Sequence, residues 1–251
     1  MRRLIVVGNW KMYGSLQTNE TLVSQLLAEV PREHQRRCVL CVPFPFLGQV
    51  GKLISGSQFV LGGQNVSDKL EGAHTGEVAA PMLKDLGCQY VIVGHSERRR
   101  DNFENDMLVA KKIEVSVSQG LTPIVCLGES LEEREQGKTE DVVQAQLDGI
   151  IAEIGTSKIS SCVFAYEPVW AIGTGKNADP STAQEVHFYI RSYLDSIDAG
   201  LANSVLIIYG GSVKASNAKD LFSMPDIDGG LVGGASLSGP EFAKIVMAVE
   251  K

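Results

Sequence analysis

Apolar and polar positions alternate in blocks along the chain: short runs rich in β-branched residues are followed by longer stretches with helical periodicity. Several short runs are continuously apolar, which is typical of parallel strands covered on both faces. The runs predicted to be strands are Leu4–Val7, Cys38–Val42, Phe59–Gly62, Tyr90–Val93, Pro123–Leu127, Cys162–Tyr166, Val205–Tyr209 and Gly230–Val232.

Each predicted strand is followed by a predicted helix. The helices are Leu16–Glu29, Phe46–Ile54, Ala79–Leu86, Asp106–Ser118, Glu140–Ile154, Thr182–Ile197, Ala218–Phe222 and Glu241–Val249. The sixth has the clearest apolar stripe, with Asp179 as candidate N-cap and Pro180 in the first turn. Eight strand–helix units without a break in composition predict a single closed (β/α)8 barrel over residues 1–251, because open sheets usually have fewer strands.

Composition narrows the possible classes of partner. The chain has 251 residues, 44% of them hydrophobic, which is enough for one sizeable core. Its net charge of -7 is spread along the chain, so nothing indicates a nucleic acid or a membrane as partner, and an anionic substrate must be held locally. The N-terminus has four consecutive apolar residues before Gly8, short of the roughly 7–15 of a signal peptide, so we expect a cytoplasmic protein.

The cysteines give no indication of a metal or redox site. Cys38 and Cys41 form a C-x-x-C motif, but they lie in a predicted strand, where residues three apart point to opposite faces. No second Cys/His pair completes a site. We therefore expect the five cysteines to be structural thiols and no metal to be bound.

Polar and glycine residues follow the predicted strands, and in a parallel barrel such positions meet at one face. They are Asn9 and Lys11, His95 and Glu97, Gly128 and Glu129, Glu167, Gly210–Ser212, and Gly233–Gly234. Singly they have ordinary structural interpretations: a surface lysine, a hydrogen-bonded histidine, turn glycines, and for Glu129 a solvated acidic face shared with Glu132 and Glu133. Together they predict a site in which the glycine loops after the last two strands bind phosphate through backbone N–H groups.

The stretch A165-Y-E-P-V-W-A-I-G-T-G-K176 carries the strongest indication of chemistry. Glu167 ends a buried strand, where a partly desolvated carboxylate can act as a base. The apolar and glycine residues behind it are typical of a lid, here 168–176, although a hydrophobic surface loop fits equally well. The segment G173-T-G-K-N-A178 is not a dinucleotide fingerprint, because no acidic residue ends a following strand at the required distance. G175-K176 is not part of a P-loop, because Trp170 stands where the first P-loop glycine belongs.

Five motifs occur in order over nearly the whole chain: N9-W-K11, G94-H-S-E-R-R99, the stretch from Ala165 to Lys176, Y209-G-G-S212 and L231-V-G-G-A-S236. With them the chain resembles the triosephosphate isomerase family. The resemblance implies a TIM barrel that interconverts dihydroxyacetone phosphate and D-glyceraldehyde 3-phosphate without metal or cofactor, usually as a homodimer.

The resemblance also implies roles for individual residues. Glu167 corresponds to the base, and His95 and Lys11 correspond to the groups that stabilise the enediolate oxygens. Asn9 corresponds to a further group that supports the same oxygen, and Glu97 to the partner that holds Lys11 in place. The pairing of a glutamate base with a neutral histidine is an established feature of this family, so it comes from the resemblance. The phosphate grip corresponds to Gly173, Ser212, Gly233 and Gly234.

A long polar loop, residues 63–77, follows the third strand, and such loops are usually functional or bind a partner. In the family its tip enters the neighbouring subunit and usually carries an aromatic residue before T-G-E, where this chain has His74. The resemblance thus implies a homodimer through this loop with altered interface chemistry. Two alternatives stay open: a barrel that binds phosphate without catalysis, and another phosphate-binding barrel enzyme such as a lyase or epimerase.

Overall fold

The computed structural model describes residues 2, 4–32, 37–169 and 179–248. Its parallel strands close a barrel in sequence order, and the first strand pairs with the last. The strands are β1 Ile5–Asn9, β2 Arg37–Cys41, β3 Phe59–Gly63, β4 Tyr90–Val93, β5 Thr122–Leu127, β6 Val163–Tyr166, β7 Leu206–Tyr209 and β8 Gly229–Val232. The predicted strands and the (β/α)8 TIM barrel are confirmed.

The helices surround this barrel. They are α1 Leu16–Glu29, α2 Leu47–Leu53, α3 Ala80–Asp85, α4 Ser96–Asp101, α5 Asp106–Ser118, α6 Leu131–Glu135, α7 Thr139–Ile154, α8 Thr156–Ile159, α9 Pro180–Ile197, α10 Ala199–Ser204, α11 Ala218–Ser223 and α12 Gly239–Met247. All eight predicted helices are present, although Val249, the predicted end of the last, lies outside the described residues. The prediction missed α4, α6, α8 and α10, and 3-10 turns at Phe44–Phe46 and Gly234–Leu237.

The apolar side chains form two layers, because successive strand residues point to opposite faces. Ile5 and Val7 belong to a cluster inside the barrel, whereas Val6 belongs to the larger cluster between barrel and helices. Cys38 lies in the outer cluster and Cys41 in the inner one, as predicted for two strand residues three apart. Within the described ranges, no group of three or more metal-ligating side chains is arranged to bind a metal.

Helix α9 is anchored at its start and again in its second half. At its start the Asp179 carboxylate accepts a hydrogen bond from the Thr182 N–H at 2.9 Å, which confirms the predicted N-cap. Further along, the Arg191 guanidinium is 2.6 Å from the buried Asp228 carboxylate, which also accepts from the Ile207 N–H. These bonds hold α9 against the beginnings of β7 and β8, whose opposite ends carry two of the predicted phosphate loops.

None of the described helices has the length and apolar character of a membrane span.

Candidate active site

The C-terminal end of the barrel contains a cavity of about 570 Å³. Seven of the predicted site residues line it: Asn9, Lys11, His95, Glu167, Ser212, Gly233 and Gly234. Glu97 lies beside the cavity, bonded to Lys11. Gly173 lies outside the described residues, as does all of the predicted lid except Pro168 and Val169. The barrel thus brings together the described residues that the sequence predicts to form a site.

Glu167 is placed by the strand ladder. Its N–H donates to the Leu127 carbonyl at 2.7 Å, which extends the pairing of β6 with β5 by one residue. Its side chain is 2% exposed, so the carboxylate depends on protein donors for stabilisation. Oε1 lies 3.1 Å from His95 Nε2, and Oε2 accepts from the Ser96 N–H at 2.9 Å. Ser96 was not predicted, because its contribution is a backbone N–H at the start of the missed helix α4.

The position of the proton on His95 follows from its hydrogen bonds. Nδ1 accepts from the Glu97 N–H at 3.2 Å, so Nδ1 carries the lone pair and the proton is on Nε2. The Glu97 carboxylate is farther from Nδ1, at 3.6 Å, beyond hydrogen-bonding distance. This tautomer directs an N–H group towards Glu167 and the cavity, which suits a hydrogen-bond donor to a substrate oxygen.

Lys11 is held in an uncommon backbone conformation. Its φ of 51° lies in the left-handed region, which side chains other than glycine adopt at some cost. The Lys11 N–H donates to Asn9 Oδ1 at 3.0 Å, and its Nζ is 2.5 Å from Glu97 Oε1. These two contacts compensate the strain and place a cation at the edge of the cavity.

Loops after the last two strands also line the cavity. Ser212 follows β7, and Gly233 and Gly234 lie between β8 and α12, where the 3-10 turn begins. The Ser236 hydroxyl donates to the Gly233 carbonyl at 2.7 Å and closes that turn. Lys214 and Glu241 also border the cavity, and they were not predicted, since both follow the glycine motifs by a few residues.

One interpretation from the sequence is wrong. Glu129 is fully buried rather than part of a solvated acidic face, and it accepts a hydrogen bond from the Tyr166 hydroxyl at 3.1 Å. Burial and the nearby Glu129 carboxylate raise the pKa of Tyr166. The Glu129 carbonyl also accepts from the Val169 N–H at 3.2 Å, so this residue anchors the chain just after Glu167.

Comparison with known proteins agrees with this geometry. The family model described as triosephosphate isomerase matches residues 4–249. A triosephosphate isomerase from Thiobacillus denitrificans is 53% identical over 251 residues, covering 100% of both chains. One from Bordetella pertussis is 52% identical over 247 residues, covering 98% of each chain, and one from Dechloromonas aromatica is 50% identical over 251 residues, covering 99% of each. The chain therefore belongs to the triosephosphate isomerase family.

Proposed function

We propose that this chain interconverts dihydroxyacetone phosphate and D-glyceraldehyde 3-phosphate through an enediolate, with Glu167 as the base. The observation that carries the proposal is a buried carboxylate 3.1 Å from the Nε2 of a neutral histidine, at a cavity that Lys11 also borders. Moving a carbonyl to the adjacent carbon requires a group that removes a proton from one carbon and returns it to the next. One carboxylate performs both steps.

The enediolate oxygens need stabilisation as they gain negative charge. His95 supplies an Nε2–H donor, and Lys11 supplies a positive charge whose position is set by its ion pair with Glu97 at 2.5 Å. Asn9 accepts from the Lys11 N–H through Oδ1, so its Nδ2 is the donor left for a substrate oxygen. Preorganised donors of this kind act where the charge develops and cost little reorganisation.

The substrate phosphate is bound at Ser212, Gly233 and Gly234. Backbone N–H groups at glycine loops and at the start of a helical turn favour an anion. Because the chain carries a net charge of -7, this attraction is local rather than a property of the whole surface. The sequence motif adds Gly173, in the predicted lid 168–176, which excludes water from the intermediate when closed.

A coupled assay with D-glyceraldehyde 3-phosphate tests the proposal. We expect dihydroxyacetone phosphate as the product, and in deuterated water we expect solvent deuterium on the carbon that receives the returned proton. A phosphate-binding barrel without catalysis would bind inorganic phosphate but form no product from D-glyceraldehyde 3-phosphate. Another barrel enzyme would convert the substrate into a different compound, and either result would refute the proposal.

The proposal includes a homodimer that forms through loop 63–77 and works in the cytoplasm. Residues 69–77 are exposed in the single chain, and so are Met12 and Phe103, which are 94% and 85% exposed. Large apolar side chains at such exposure favour a covering partner. Sedimentation over a dilution series tests the assembly: we expect a dimer that His74→Phe strengthens, since phenylalanine buries more apolar area. A monomer at all concentrations would refute the homodimer. Cell fractionation tests the cytoplasmic location.

A further inference from the structure

The loop between β7 and α11, residues 210–217, is held in place by side chains. The Asn217 amide donates from Nδ2 to the Ser212 carbonyl at 3.0 Å, and its Oδ1 accepts from the Lys214 N–H at 2.8 Å. One side chain thereby fixes two consecutive peptide planes, those on either side of Val213. At the other end of the loop, the Gly210 N–H donates to the Tyr166 carbonyl at 2.7 Å. The backbone around Ser212 is therefore fixed from both directions.

This use of Asn217 differs from that of an ordinary helix cap. Asn217 occupies the N-cap position of α11, where an asparagine side chain usually accepts from the first-turn N–H groups of its own helix. Here it makes no such bond and reaches back into the preceding loop instead. The N-terminus of α11 therefore lacks a side-chain capping bond, and the Asn217 side chain instead makes two hydrogen bonds to the loop.

Glu241 makes a similar contact from a different loop. It lies in the first turn of α12, directly after the Gly234–Leu237 turn, and its Oε1 accepts from the Ala215 N–H at 2.8 Å. A carboxylate in the first turn of a helix ordinarily stabilises the N–H groups of that helix. The bond from Glu241 instead joins the loop after β7 to the segment after β8, which together form the phosphate side of the cavity.

The N–H of Ser212 is left available by this arrangement. Within the part of the chain that the structure describes, no group accepts a hydrogen bond from it, whereas the N–H groups of Gly210, Lys214 and Ala215 in the same loop are bonded. Ser212 is half-buried and lines the cavity. An N–H group that is fixed, partly buried and unbonded is prepared for an external acceptor.

We propose that Asn217 and Glu241 are positioning residues for the substrate phosphate: they hold the two loops so that the backbone N–H groups of Ser212, Gly233 and Gly234 converge on one anion. This inference rests on the proposed function, since it assumes that the phosphate binds at these loops. Neither side chain touches the reacting carbons, so both act on binding through the backbone.

Two variants of Glu241 separate the effect of its hydrogen bond to the loop from the effect of its negative charge. Its carboxylate borders the cavity, where a negative charge by itself repels phosphate. Glu241→Gln keeps an acceptor oxygen for the Ala215 N–H and removes the charge, so we expect phosphate to bind at least as tightly as in the parent. Glu241→Leu removes both, and we expect weaker binding. A purely electrostatic role predicts tighter binding for both variants.

The experiment compares the parent with Asn217→Ala, Glu241→Gln and Glu241→Leu. The control is Asn203→Ala, on α10 at the opposite end of the barrel, where an exposed asparagine donates to the Ala199 carbonyl of its own helix. The inhibition constant of inorganic phosphate is measured for each, with kcat/KM for D-glyceraldehyde 3-phosphate and for unphosphorylated D-glyceraldehyde. Loss of two hydrogen bonds predicts about tenfold weaker phosphate inhibition in Asn217→Ala.

The ratio of the two kcat/KM values decides the outcome. We expect Asn217→Ala and Glu241→Leu to lower the preference for the phosphorylated substrate by about tenfold, with Glu241→Gln and Asn203→Ala near the parent. An unchanged ratio in both Asn217→Ala and Glu241→Leu, with only a lower melting temperature, would overturn the inference. If Asn217→Ala does not fold, the Glu241 pair decides alone. Failure of phosphate to inhibit the parent would instead refute the proposed phosphate site.

Discussion

Gly210→Ala tests whether the position of Glu167 matters for catalysis. Gly210 lies directly after β7, and a Cβ added there would be 2.7 Å from Glu167 Cγ and 3.1 Å from the Tyr166 carbonyl oxygen. Its φ is not in the left-handed region, so the backbone itself accepts alanine. The effect of the substitution is therefore steric, and it acts on the side chain proposed as the base.

The size of the effect follows from the contact distance. Ordinary contact begins at 3.4 Å, so Cγ must move by 3.4 − 2.7 = 0.7 Å, or the buried glycine must retreat by as much. The carboxylate is attached to Cγ and moves by a similar amount or more, about 1 Å, which costs on the order of 10²-fold in rate. Overpacking of the buried site also lowers the free energy of unfolding by about 1–3 kcal/mol.

The assay is kcat for D-glyceraldehyde 3-phosphate, with the free energy of unfolding measured in urea. Gly48→Ala is the matched control: Gly48 is exposed on α2, the nearest atom to an added Cβ is Leu86 Cδ2 at 4.0 Å, and α2 gains helix propensity of about 1 kcal/mol. We expect Gly48→Ala to keep full activity. A folded Gly210→Ala enzyme with kcat within about threefold of the parent would show that a displacement of this size at Glu167 is tolerated.

Three further predictions concern charge and burial. Lys11→Met removes the cation paired with Glu97, and kcat/KM should fall by about 10²–10³-fold; a fall below tenfold would contradict its electrostatic role. Burial lowers the pKa of His187 from its ordinary 6.5 to about 3. Between these two pH values the unfolded chain binds a proton at His187 and the folded chain does not. As pH falls from about 6 to about 4, urea titrations should show the parent losing up to about 1.4 kcal/mol per pH unit more than His187→Gln; equal slopes would contradict this. Burial raises the pKa of all five cysteine thiols, so a thiol reagent at pH 8 should react fast only after denaturation.

The fold could be predicted because its periodic elements are long and uninterrupted. The predicted bounds of α1 and α5 agree with the structure, since each has a clear apolar stripe and a side-chain cap at Ser15 or Asn105. The short helices α4 and α6 were missed because six and five residues are too few to show a helical period. The start of α6 is marked locally all the same, because Ser130 and Glu133 form a capping box whose spacing the sequence contains.

The candidate site was predictable to the extent that it depends on strand ends. A parallel barrel brings the residues after its strands to one face, so Asn9, His95 and Glu167 could be grouped before any coordinates. Contacts made by loops were not predictable, because they depend on which way a side chain turns. Glu129 illustrates the difference: its acidic neighbours suggested solvent, but Tyr166 from the adjacent strand covers it.

Glu167→Gln tests the central claim most directly, namely that this carboxylate moves the proton between two substrate carbons. Glutamine is nearly isosteric and keeps an acceptor oxygen for the Ser96 N–H, so the folded structure and the phosphate loops should remain intact. We predict that kcat falls by about 10²–10⁴-fold while the inhibition constant of inorganic phosphate stays within about twofold of the parent. Retention of more than about a tenth of the parent's kcat would contradict the assignment of Glu167 as the base.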